Sequence, residues 1–183
     1  VPETSVYELV VTQPPPGVTA FRVEALTDER LPNRSSGHSL DGDFVLTDFE
    51  VELRVDADTA SNQPAPKFEF DKAYADFAED RFEAHKALDK DDKSGWAIGA
   101  DQEKNRTNHF AVFVIKPPTN AVPAASWVIR LKQESIRPRS LLGRFRVAWS
   151  TAPAGAHRAW AGVSAGIRGL LEVEPAQRTE AQR

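Results

Sequence analysis

The chain has 183 residues, 40% of them hydrophobic, enough for one domain with a sizeable core. A formal net charge of -4 argues against a nucleic-acid binder, whose affinity rests on a basic face, and no apolar run approaches the roughly 18 residues of a membrane span. Cysteine is absent, which removes disulfides, thiolate chemistry and cysteine zinc sites; methionine is absent too and the first residue is Val1, so the expectation is an excised piece of a larger protein.

Strand-like alternation recurs to about residue 150. Val6, Tyr7, Leu9, Val10 and Val11 form an apolar run that stops at Pro14-Pro15-Pro16-Gly17. Phe21, Val23 and Ala25 alternate with Arg22 and Glu24. A loop rich in turn formers follows over residues 31–38. In the segment 44–55, Phe49, Val51, Leu53 and Val55 share one face, and Glu50, Glu52 and Arg54 share the other. Phe44 and Leu46 have the opposite parity, so the phase slips near Thr47-Asp48, as a bulge would make it. Residues 56–66 read as a linker. The charged segment 71–106 reads as a long ordered loop with one helical turn around 82–87. The run 110–115 is apolar on both faces, as a central strand is. Trp127, Ile129 and Leu131 alternate again, as do Phe145, Val147 and Trp149 with Arg144 and Arg146 opposite. Beyond Pro153, Ile167, Leu170 and Leu171 take helical spacing. Short strands, long loops and little helix predict an all-β antiparallel sandwich over residues 1–155, followed by a helical extension or linker over 156–183.

The segment Lys86-Ala87-Leu88-Asp89-Lys90-Asp91-Asp92-Lys93-Ser94-Gly95-Trp96 carries the most chemistry. A tight loop with Asp89, Asp91 and Ser94 can turn side-chain and backbone oxygens inward. Calcium takes six to eight such oxygens in flexible geometry, whereas magnesium keeps its waters. A solvated acidic turn is the plain alternative. The central glycine and terminal glutamate of an EF-hand are missing.

This loop resembles the Ala-x-Asp-Gly-Asn/Asp-x-x-Thr/Ser-x-Trp signature of discoidin-like, galactose-binding jelly-roll domains, with Ala87, Asp89, Asp91, Ser94 and Trp96 in the matching places and Lys90 where glycine is usual. The resemblance implies a structural calcium ion held by the Lys86 carbonyl, the Asp89 carboxylate, the Asp91 carbonyl, and the Ser94 carbonyl and hydroxyl. It adds Phe49 and Glu50 from the Phe49-Glu50-Val51 strand. That strand here precedes the loop, which implies a circular permutation. The ordered blocks at 21–28, 42–51, 87–98 and 142–146 are similar to a domain of large planctomycete surface or periplasmic proteins that also carry a cytochrome-c-like domain. This implies export to the periplasm or cell surface, other domains of the same parent chain as partners, and a polysaccharide ligand.

Candidate ligand-binding residues are Arg34, His38 and Asp41 in a long loop, Arg144 in the basic set Arg137, Arg139, Arg144 and Arg146, and Trp160. Loops at sandwich ends carry binding groups, and arginine grips sulfate or uronate oxygens bidentately. Against this stand plain exposure for the loop residues, a sheet face balanced by the acidic 71–103 region for the arginines, and simple packing of Trp160. Trp96 is expected beneath its loop and Trp127 and Trp149 in the core. No paired zinc spacing of histidines, acid–base carboxylate pair, Gly-x-Ser-x-Gly or phosphate loop points to catalysis. The expectation is a non-catalytic carbohydrate-binding module. The alternative is a structural or protein-interaction spacer between the cytochrome-like and downstream domains.

Overall fold

In the computed structural model, which describes residues 1–54, 65–117, 126–153, 156, 157 and 179, the period-two segments become strands. They are β1 (Ser5–Thr12), β2 (Ala20–Ala25), β3 (Asp48–Arg54), β4 (Phe70–Ala75), β5 (His109–Ile115), β6 (Ser126–Gln133) and β7 (Phe145–Ser150). One sheet has the order β1-β6-β3 and the other β4-β5-β2-β7. Every neighbouring pair is antiparallel. The chain is an all-β antiparallel sandwich, as its alternation predicts. The helix expected near residues 167–171 lies outside the described residues.

Alternation places Phe49, Val51 and Leu53 of β3 and Trp127, Ile129 and Leu131 of β6 in the core, facing Phe21 and Val23 of β2 and Ala111 and Phe113 of β5. Phe49 stacks on Phe113 at 4.3 Å between ring centres, and Trp127 meets Phe21 edge-on at 5.3 Å. The other face of β5 is apolar as well. Phe110, Val112 and Val114 gather there with Ala20, and Tyr74 packs against them. This explains why the 110–115 run shows no alternation, with β5 lying between β4 and β2.

The charged segment departs from expectation, because its start is the strand β4 and not a loop. Asp71 and Lys72 mask the pattern, and the register shifts between Phe70 and Lys72 where β4 pairs with β5. The helical turn appears as a 3-10 turn over Ala84–Leu88. Directly after β4, Asp76 faces His109 of β5 in a buried pair, Nδ1 to Oδ2 3.2 Å, while the other Asp76 oxygen accepts the Phe110 N–H at 2.7 Å.

The predicted phase slip is present. Leu46 and Phe49 are both core residues, Asp48 sits on the outer face beside Lys132, and Thr47 N–H donates to the Lys132 carbonyl at 2.9 Å. Just upstream, Leu46 and Trp96 exchange both backbone hydrogen bonds at 2.9 Å. Gly95 makes this approach possible: a Cβ there would stand 2.5 Å from the Leu46 carbonyl oxygen, at φ +153°. Trp96 is fully buried, meets Phe44 edge-on at 5.0 Å and donates its indole N–H to the Phe77 carbonyl at 3.0 Å. Asp43 ties the same two segments together. Its carboxylate accepts N–H groups of Phe44 (2.9 Å), Ile98 (3.3 Å) and Gly99 (3.1 Å). Burial pushes this carboxyl above its ordinary range, against the pull of those donors.

Candidate functional site

The 86–94 loop closes on itself. Asp89 Oδ1 accepts the Asp91 N–H at 2.9 Å, and Asp91 Oδ1 accepts the Lys93 N–H at 3.0 Å. The Ser94 hydroxyl lies 2.8 Å from Asp89 Oδ2 and 3.3 Å from the Asp91 carbonyl oxygen. Three of the oxygens expected around calcium thus converge, while the Asp91 carboxylate turns to the backbone. Lys90, which stands where the resembling domains use glycine, takes φ +62°. The turn therefore forms with a lysine in the left-handed region, at a cost of about 1 kcal/mol relative to glycine.

Glu50 is not part of this cluster. It projects from the outer face of β3, where Lys67 Nζ lies 2.6 Å from Oε2 and Lys132 Nζ 2.9 Å from Oε1. Lys132 also holds Asp48 at 3.0 Å. Burial raises the Glu50 carboxyl, but hydrogen bonds from the two ammonium groups outweigh it and bring it down to about 2. Phe49, its neighbour, points into the core and is paired in register with Leu131 of β6. The fit to calcium is therefore divided. The loop oxygens of Asp89, Asp91 and Ser94 suit a hard cation, whereas Glu50 already serves two lysines. No group of three or more His, Asp or Glu side chains is gathered for a metal among the described residues.

A second feature lies at one end of the four-stranded sheet, where the loop after β2 meets the entry to β7. Thr27, Asp28, Glu29, Arg30, Arg34 and Arg144 line an open polar cleft of about 440 Å³. The loop is folded tightly: Leu31 N–H donates to the Asp28 carbonyl, Asp28 N–H to Ser35, and Arg34 N–H to Leu31. Asn33 and Arg34 adopt φ of +53° and +55°. Asparagine visits this region readily, but Arg34 there costs about 1–2 kcal/mol, so the surroundings must enforce it. Gly42 and Gly143 show how. A Cβ on Gly42 would come 2.5 Å from the Pro32 carbonyl oxygen, and one on Gly143 would come 2.4 Å from the Leu31 side chain.

Within the cleft the charges are partly spoken for. Arg30 grips Asp28 in a fork at 2.8 Å for each of two bonds, which holds that carboxyl well below the usual range. Arg144 reaches Asp28 only at 3.8 Å and the Thr27 carbonyl at 3.4 Å. The Arg34 guanidinium makes no hydrogen bond or ion pair among the described residues.

The other members of the basic set are engaged. Arg137 makes a two-bond contact to Glu79 at 2.7 and 2.8 Å and lies 3.9 Å over the Phe82 ring. Arg139 pairs with Glu3, and Arg146 with Glu24. Only Arg137 is balanced from the acidic 71–103 region; Arg139 and Arg146 find their carboxylates elsewhere, and Arg144 has only its long contacts to Asp28 and Thr27. His38 donates its backbone N–H to the Leu141 carbonyl, and neither its side chain nor that of Asp41 lines the cleft. Trp160 lies outside the described residues. Thr27, Asp28, Glu29 and Arg30 are cleft residues that the sequence reading passes over. Their signal is a run of charges directly before the turn-forming stretch at 31–38.

No protein family, curated protein or solved structure matches the chain.

Proposed function

We propose that this chain is a non-catalytic glycan-binding module of a larger exported protein, with the cleft between the 27–34 loop and Arg144 as its site. The observation that carries the reading is that cleft: hydrogen-bonding side chains from segments far apart in sequence meet at the end of a rigid sandwich. Function on such folds resides in end loops, and sugar hydroxyls are met by side chains of this kind. A structural calcium ion belongs to the reading as an occupant of the 86–94 loop without Glu50. The test is retention on a broad panel of immobilised plant and algal polysaccharides. Retention on at least one, competed by the soluble polymer, supports the reading, and passage through the whole panel overturns it.

A specific observation favours a second reading, that of a spacer packed against neighbouring domains. The outer face of the four-stranded sheet holds a cavity of about 390 Å³ lined by Phe110, Val112 and Ala148, with Arg22 and His157 also in its lining and the half-exposed Trp149 reaching it from the β7 edge. If the parent protein's other domains bind this chain and glycans do not, the spacer reading replaces the first.

A further inference from the structure

The cleft carries more than a general capacity for hydrogen bonds. Its lining sets three arginines against two acidic residues in a chain of net charge -4. Arg30 and Asp28 satisfy one another, with each Asp28 oxygen held at 2.8 Å. This leaves Arg34 without a partner among the described residues, and Arg144 with only a 3.4 Å contact to the Thr27 carbonyl and a 3.8 Å approach to an already occupied carboxylate. Their donor forks come from different loops, one held in a left-handed turn at φ +55° and one fixed beside Gly143, which abuts Leu31. Two guanidinium groups with donors to spare, on rigid supports, are suited to one planar or tetrahedral oxyanion.

We propose that Arg34 and Arg144 together bind the acid group of an anionic polysaccharide, a uronate carboxylate or a sulfate ester. This rests on the glycan-binding reading of the same cleft. Arg30 acts as a positioning residue: by occupying Asp28 it keeps that carboxylate from neutralising Arg144. Because the contact is ionic and exposed, binding weakens with salt.

The experiment compares three polymers by affinity electrophoresis and calorimetry with the whole chain: a polyuronate, a sulfated galactan and a neutral galactan. The expected result is retention on one or both acidic polymers in excess of the neutral one. Affinity should fall about tenfold in Arg34→Gln and in Arg144→Gln, as suits the loss of one charged hydrogen-bonding group. It should also fall between 50 and 300 mM salt, values chosen so that the Debye length drops from about 14 to about 6 Å. Arg139→Gln, a change in an exposed pair outside the cleft, should leave binding intact. Preference for the polyuronate or for the sulfated galactan identifies which oxyanion the clamp takes. Equal retention on the neutral galactan, or full acidic-polymer binding by the double variant, overturns the oxyanion clamp while leaving glycan binding in place. No retention on any polymer overturns both.

Discussion

Replacing Asp43 with alanine tests the tie between the two segments that frame Trp96. The carboxylate accepts three backbone N–H groups, those of Phe44, Ile98 and Gly99, at 2.9, 3.3 and 3.1 Å. Removing it leaves three buried donors without an acceptor. A buried unsatisfied group costs about 1–3 kcal/mol. The Phe44 bond is local and the Ile98 bond long, so the lower end applies to each, and the sum is about 3 kcal/mol. For a chain of this length that corresponds to a fall in Tm of about 6–12 °C. Urea denaturation of parent and Asp43→Ala, followed by tryptophan fluorescence, measures it directly. Asp43→Asn keeps one acceptor oxygen and should lose about half as much. Burial raises the Asp43 carboxyl, so the folded state holds its proton at pH values where the unfolded chain has released it. The parent's advantage over Asp43→Asn should therefore be full below the ordinary value of 3.8 and shrink as pH rises through the folded value. A loss below 1 kcal/mol in Asp43→Ala would refute the accounting, because the donors would then have found water or each other.

Lys90→Gly should stabilise the chain by about 1 kcal/mol, since it relieves the left-handed residue at φ +62°; an unchanged or lower urea midpoint counts against the strain. Glu50→Gln should cost about 1–2 kcal/mol at neutral pH, because Lys67 and Lys132 lose a shared carboxylate. That penalty should vanish as pH falls from the ordinary value of 4.5 toward about 2, the window in which the native carboxylate takes up its proton, and a penalty that persists at pH 2 would assign it to packing. Calcium should raise Tm by binding only the folded loop, and Asp89→Ala should abolish that response while Glu50→Gln preserves it. Superimposed melts in calcium and chelator would mean that the Ser94–Asp89 hydrogen bond alone closes the turn.

The sandwich was legible where alternation was clean. Phe49, Val51 and Leu53 against Glu50 and Glu52 announce β3, and the parity break at Thr47-Asp48 announces the phase slip that puts both Leu46 and Phe49 in the core. β4 was not legible, because it is an edge strand whose Asp71 and Lys72 face water and leave little apolar signal. The face of Glu50 followed from parity, but its partners did not. Lys132 and Lys67 come from segments whose pairing with β3 is set by tertiary register. Arg34 and Arg144 stood out as cations, yet only the folded turn shows that they border one cleft. Asp43 carries no periodic signal, since its role rests on backbone donors from residues 98 and 99.

The strand order also dictates when this chain can fold. Among the described residues β1 has a single neighbour, β6, in a register that joins Ser5 to Gln133. Of the strands in this sandwich, β1 is thus made first and waits longest for a partner, with Val6 and Val10 still 41% and 60% exposed even in the finished sheet. Closing so long a loop before any pairing contact forms makes folding slow and leaves a bare apolar edge in the meantime. Chains that terminate before Ser126 should retain β1 as an unpaired, association-prone segment, detectable as aggregation that the 183-residue chain escapes.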